Sequence, residues 1–180
     1  IFFVFAAKSW SSNLNSNEEE DKRIAVVVID PGHGGKDLGA SVGNVREKDI
    51  VLDLAKRLGQ SINANYPDIK VIYTRTNDVF IPLHKRADIA NKNKADLFIS
   101  IHNNALHDGV NPFDNNGTSI YYYHPHSINL ARAIHREMLD ELKLPDFGLY
   151  HGNLHVNRPT QYPAVLVECA FMILPEHEAM

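Results

Sequence analysis

Residues 23–180 predict one open α/β domain, a mostly parallel six-stranded sheet flanked by helices. Three observations carry this expectation. Residues 24–29 and 164–167 are continuous apolar runs rich in β-branched side chains, and 97–101 is a third interrupted only by Ser100, the pattern of strands covered on both faces. Segments with helical spacing lie between the runs, so strand and helix alternate as in βαβ units. At 180 residues, with 44% hydrophobic and 22% charged residues, the chain is long enough to bury a core and too ordinary in composition to be disordered, collagen-like or coiled coil.

The elements follow in order. Residues 1–22 begin apolar (Ile1 to Ala7), turn Ser/Asn-rich and end acidic at Glu18 to Asp21, which reads as a flexible leader or linker, either the remnant of a signal peptide or a cloning remnant. Residues 23–180 are expected to form one folded domain. Its first strand, 24–29, breaks at the turn-rich Asp30-Pro31-Gly32-His33-Gly34-Gly35. A helix begins just after Glu47, with Ile50, Val51, Leu54, Ala55 and Leu58 on one stripe and Gly59 near its end. Residues 71–74 make the second strand, Leu83, Ala87 and Ala90 one face of a short helix, and 97–101 the third strand. Residues 117–123 mix polar and aromatic positions, as in a strand nearer an edge. A third helix carries Leu130, Ala131, Ile134, Met138 and Leu142 on one stripe and is stopped by Pro145. A short strand is expected at 153–156 and a last one at 164–168. A further helix would be natural after Pro175, so the C-terminal end reads as truncated.

Composition excludes several function classes. A net charge of −4, from 18 Lys+Arg against 22 Asp+Glu, offers no footprint for nucleic acid. No run of about 18 apolar residues exists, so no helical membrane span is expected. A single cysteine, Cys169, rules out an internal disulfide framework, and it reads as a small packed hydrophobe. A monomer is expected. Ten histidines are the odd count, because neutral imidazole is the commonest protein metal ligand.

In open α/β sheets ligands bind outside the carboxyl ends of the strands, so the polar residues that follow each apolar run matter most. His33 follows the first strand, His102 follows residues 97–101, Glu168 ends the last strand, and Glu47 stands at the start of the first helix. Two histidines and two glutamates from four segments thus converge on one rim. That is the composition of a catalytic zinc site, in which three ligands leave a position open for water and a further carboxylate takes its proton. Position alone also fits hydrogen-bonded loop histidines at 33 and 102 and a solvated charge at Glu47, among Arg46, Lys48 and Asp49. Glu168 is harder to explain that way, since a lone carboxylate between Val167 and Cys169 is buried at a cost unless a cation or donor meets it. No Gly-x-Gly-x-x-Gly, Gly-Lys-Ser/Thr or Gly-x-Ser-x-Gly motif supports nucleotide binding or a serine nucleophile.

Four ordered motifs carry a family resemblance: Ile29-Asp30-Pro31-Gly32-His33-Gly34-Gly35, Arg46-Glu47-Lys48-Asp49, Ser100-Ile101-His102-Asn103-Asn104-Ala105 and Pro163-Ala164-Val165-Leu166-Val167-Glu168. Together the chain resembles the zinc-dependent N-acetylmuramoyl-L-alanine amidases of the bacterial amidase 3 family, from about Ile24 to its end. Thr74-Arg75 and residues 83–91 also fit that pattern. The resemblance implies a phosphorylase/hydrolase-like fold, Zn2+ as cofactor, His33, Glu47 and His102 as its ligands, and Glu168 as the catalytic carboxylate. It implies peptidoglycan as partner and substrate, cut between N-acetylmuramic acid and L-alanine, and a periplasmic or secreted location. Two departures matter. Leu174 stands where the family tends to have Asn. Only His124 to Ser127 separate strand 117–123 from its helix, where some members insert a long helix that plugs the zinc site, so a domain that does not plug itself is expected.

Competing readings are a zinc carboxypeptidase acting on stem peptides and a non-catalytic wall-binding domain. His124, His126, His151 and His155 lack supporting carboxylates and are expected to be non-catalytic. His84, His107, His135 and His177 are expected at the surface.

Overall fold

The computed structural model describes residues 25–105, 111, 113–114, 116–172 and 174. The expectations for residues 1–22, for the end after Pro175, and for His107 and His177 lie outside them. Along the chain run β1 (Ala25–Pro31), a small hairpin of β2 (Ser41–Val42) and β3 (Val45–Arg46), and α1 (Glu47–Asn65). Next come β4 (Ile69–Tyr73), α2 (Leu83–Lys92), β5 (Leu97–Asn104), β6 (Thr118–Tyr122), α3 (Ile128–Leu142), β7 (Asp146–His151) and β8 (Ala164–Phe171). Six strands form the main sheet in the order β4-β1-β5-β8-β6-β7. All neighbours are parallel except β6 and β8, so β4, β1, β5 and β8 point one way and β6 and β7 the other.

Both faces are covered, which is why the central strands read as largely apolar runs. On one face Ile29, Ile99, Ile101, Val165 and Val167 meet Val51, Ala55 and Ile62 of α1 and Ala131, Ile134 and Met138 of α3. On the other, Val26, Val28, Phe98, Ala164 and Leu166 meet Ala90 of α2 together with Val156 and Tyr162. The expected open, mostly parallel six-stranded sheet is therefore the observed one.

Several boundaries differ from expectation. The strand expected at 153–156 is instead Asp146–His151, and residues 155–157 form a 3₁₀ turn. β7 escapes the pattern because it is an edge strand with no buried residue and with Gly148 in its middle. β6 is one place in from that edge. Helix α1 runs six residues past Gly59, which lies mid-helix because the Tyr73 ring crosses there: a Cβ on it would sit 1.7 Å from Tyr73 Oη. His135 is buried where α3 meets β7, its Nε2 3.0 Å from Asp146 Oδ1, and so departs from the expected surface position. Leu174 is buried and its N–H donates to the Phe171 carbonyl at 3.1 Å, which closes the turn without an Asn side chain.

One polar cluster sits inside this core. Asp30 is fully buried and its carboxylate accepts from Thr74 Oγ1 (2.5 Å), Ser100 Oγ (2.7 Å) and Arg86 Nη1 (2.7 Å). Three donors, from the residue just past β4, from β5 and from α2, thus offset the desolvation of one charge.

Candidate functional site

The carboxyl ends of β1, β5 and β8 share one edge, and register fixes what stands there. Pro31 pairs with Ile101, and His102 pairs with Glu168. His33 follows β1 by two residues. Glu47 enters from α1, whose amino end faces the same edge; its first N–H groups donate to loop carbonyls, Glu47 N to Ala40 O (2.8 Å) and Lys48 N to Leu38 O (3.2 Å). Acidic Glu47 and Asp49 in that first turn suit the positive end of the helix.

Glu47 is the hub. It is buried, with Oε1 2.9 Å from His102 Nδ1 and 3.1 Å from the Asn103 N–H, and with Oε2 3.0 Å from His33 Nε2 and 2.8 Å from the Ala40 N–H. Burial alone would raise its carboxyl, but hydrogen bonds from His102 and His33 hold it far below the usual carboxylate range. Burial would likewise lower His33, and contact with Glu47 and Asp37 outweighs it, so the imidazole lies above its ordinary value. The two histidine rings meet edge to face at 4.8 Å between centroids. Gly32 makes this approach feasible, since a Cβ there would lie 2.3 Å from the His102 ring.

One ligand atom each from His33, Glu47 and His102 lie within 4.8 Å of one another. Two imidazoles and a carboxylate so placed fit a single zinc ion by donor type and by number. Glu168 stands beside them within β8, which continues to Phe171, so it is inside the strand and not at its end. The residue is half-buried, yet its Oε2 is sealed from solvent and has no hydrogen-bond partner among the described residues. Burial, reinforced by the Glu47 carboxylate and opposed by His33, pushes the Glu168 carboxyl up to about 8. An orphaned buried carboxyl beside a metal-ligand cluster is the pattern expected of a proton-handling group. All four residues singled out in the sequence thus share one edge. His124 and His126 lie at the opposite edge, where β6 ends against the start of β8, and their Nε2 atoms contact the Arg158 and Tyr162 carbonyls.

Asp37 was not legible as part of this site. Its Oδ1 lies 2.9 Å from His33 Nδ1, the ring nitrogen turned away from Glu47. Carboxylates in this relation fix the tautomer and orientation of a ligating histidine. The signal available was an acidic residue four positions after His33 in a Gly-rich loop, which sequence alone does not separate from a solvated charge. Asp37→Asn is expected to weaken zinc binding about 10- to 100-fold, read by competition with a chelator; an unchanged affinity would remove Asp37 from the site.

Cys169 adjoins Glu168. Burial, with the neighbouring Glu168 and Glu47 carboxylates, pushes its thiol up to about 12. About one thiol in ten thousand is then ionised at pH 8, so a disulfide reagent should label the folded protein far more slowly than the urea-unfolded chain. Equal rates would contradict this.

The edge described here has the donors for metal-dependent hydrolysis, and comparison with known proteins gives the class. The sequence signature of the N-acetylmuramoyl-L-alanine amidases matches residues 27–180. The chain is 34% identical to the probable cell wall amidase LytH of Staphylococcus aureus over 180 residues, 95% of this chain and 58% of that protein, so it spans less than two thirds of that relative's length. Among solved structures, it resembles the N-acetylmuramoyl-L-alanine amidase from Clostridium difficile 630 with TM-score 0.80 and 35% identity, covering 87% of this chain and 85% of that one. The catalytic domain of CwlV, an N-acetylmuramoyl-L-alanine amidase from Bacillus (Paenibacillus) polymyxa var. colistinus, gives TM-score 0.77 and 38% identity over 86% and 85%. This chain belongs to the N-acetylmuramoyl-L-alanine amidase family. No helix among the described residues is long and apolar enough to cross a membrane.

Proposed function

We propose that this chain hydrolyses the amide between the lactyl group of N-acetylmuramic acid and the L-alanine of the stem peptide in peptidoglycan, releasing stem peptides during wall remodelling or cell separation. The observation that carries this reading is the ligand cluster His33, Glu47 and His102 set beside the unpartnered Glu168. Those three residues would hold zinc, with residues 23–180 as the catalytic domain. Zinc, when bound, supplies Lewis acidity that polarises a carbonyl and acidifies water at the site.

The protein's own residues do the rest. Glu47 is held ionised by four donors, and Asp37 fixes the His33 ring, so the ligands need little rearrangement to bind. In its ionised form Glu168 Oε2 takes a proton from the attacking water as the new C–O bond forms, then returns it to the alanine nitrogen as the C–N bond breaks. The products are a lactyl carboxylate on the sugar and a free amino group on the peptide. This chemistry uses no nucleophilic side chain, and Cys169 takes no part.

The substrate lies outside the cytoplasm, which supports a periplasmic or secreted site of action. Digestion of purified cell walls tests the reaction: intact stem peptides with a new N-terminal alanine are expected. Release of single C-terminal amino acids would instead show a carboxypeptidase, and wall binding without cleavage a non-catalytic domain.

A further inference from the structure

His33 is the one ligand that no regular element carries. Glu47 begins α1 and His102 lies within β5, so their positions follow from helix and sheet. His33 sits between Gly32 and Gly34 with φ at 58°, a left-handed conformation that a histidine adopts at a cost, in a loop whose glycines leave the backbone wide freedom. Something other than the loop must choose this conformation.

Two buried arginines do so from two different directions. Arg86 of α2 donates through Nη2 to the His33 carbonyl (2.7 Å), through Nη1 to the Pro31 carbonyl (2.8 Å) and to Asp30 (2.7 Å), and through Nε to the Ile81 carbonyl (3.0 Å). Arg75, just past β4, donates through Nη2 to the Gly32 carbonyl (2.7 Å) and through Nε to the Pro31 carbonyl (3.1 Å). Its Nη2 also reaches the Lys48 carbonyl at 2.8 Å, on the residue next to Glu47 in α1. Three consecutive carbonyls are thus taken, and one guanidinium ties the loop of one ligand to the helix of another. Both arginines are 2–3% exposed, so neither faces a substrate. Neither is in contact with a ligand side chain in this network.

We infer that Arg75 and Arg86 are positioning residues for the metal centre: their guanidinium forks grip the Pro31, Gly32 and His33 carbonyls and so aim the His33 imidazole at Glu47 and His102. This rests on the metal-centre reading of His33. A lysine keeps the positive charge beside Asp30 but has no planar fork to span several acceptors, so Arg→Lys separates charge from geometry.

The test uses Arg86→Lys and Arg75→Lys, with the exposed Arg57→Lys as control. Zinc affinity is measured by chelator competition, the visible spectrum of the cobalt-substituted protein reports ligand geometry, and the thermal midpoint is taken without metal. At temperatures where circular dichroism shows the metal-free proteins folded, each buried variant should bind zinc about 10- to 100-fold more weakly and show an altered cobalt band. The control should match wild type. Wild-type affinity and spectrum in both variants, with only a lower midpoint, would show a purely structural role and overturn the inference. If Arg86→Lys does not fold, Arg75→Lys decides alone, because it leaves the Asp30 pair untouched. Absence of metal binding by the wild-type protein would instead overturn the metal-centre reading itself, and this inference with it.

Discussion

Glu168→Gln is expected to retain zinc at wild-type stoichiometry while stem-peptide release falls about 10²- to 10⁴-fold, the range general acid–base groups contribute. The substitution is nearly isosteric, so β8 and its pairing with His102 and Ser119 should persist. Gln still fills the sealed space around Oε2 and removes only the capacity to exchange a proton. Burial already holds the Glu168 carboxyl largely protonated near neutral pH, so the neutral amide replaces a neutral acid and stability should hold; the gain from losing a buried charge should show only well above pH 8. His33→Ala gives the contrasting result: it takes away a ligand and should lose metal and activity together. Metal analysis and wall digestion on the same samples separate the two. Near wild-type turnover by Glu168→Gln would show that another group moves the proton.

The parts of this protein that could be read from sequence are those whose environment is uniform. Strands β1, β5 and β8 are covered on both faces, so residues such as Val27, Ile99 and Val165 announce themselves as apolar runs, and whatever polar residue ends such a run stands at the ligand-binding edge. That logic reaches His33, His102 and Glu168 directly, and Glu47 through the amino end of α1. The residues it misses are polar groups that serve other polar groups. Arg86 looks like one charge on an exposed helix, because the acceptors that bury it lie 53 to 56 positions earlier in sequence. Asp37 looks like a loop acid for the same reason. A hint did exist in Asp30: a carboxylate directly after Val26-Val27-Val28-Ile29 has to be buried, and a buried carboxylate demands donors. Strand β7 failed for the opposite reason, since an edge strand with Asp146 and Gly148 has too little buried surface to set a pattern.

Asp30→Ala is expected to destabilise the metal-free protein by about 3–5 kcal/mol, a large share of the roughly 5–15 kcal/mol available to a domain. The cost comes from what remains after the carboxylate is gone. Arg86 keeps a buried charge with only carbonyl oxygens to face, and the Thr74 and Ser100 hydroxyls lose their acceptor inside the core. At roughly 2–4 °C per kcal/mol for a chain of this size, the thermal midpoint should fall by about 6–20 °C. The pair Arg57–Asp53 provides the internal comparison. Its N–O distance of 2.6 Å is slightly shorter than the 2.7 Å of Arg86–Asp30, but its side chains are 74% and 61% exposed against 3% and 1%. Water and salt already satisfy the exposed pair, so Asp53→Ala should leave the urea midpoint where it was. Asp30→Asn should fall between the two, since its amide oxygen still accepts from the hydroxyls but no longer balances the guanidinium charge. If Asp30→Ala and Asp53→Ala shifted the midpoint equally, burial would not be what gives the Asp30 cluster its weight, and the Arg86 grip on the His33 loop would have to draw its rigidity from packing alone.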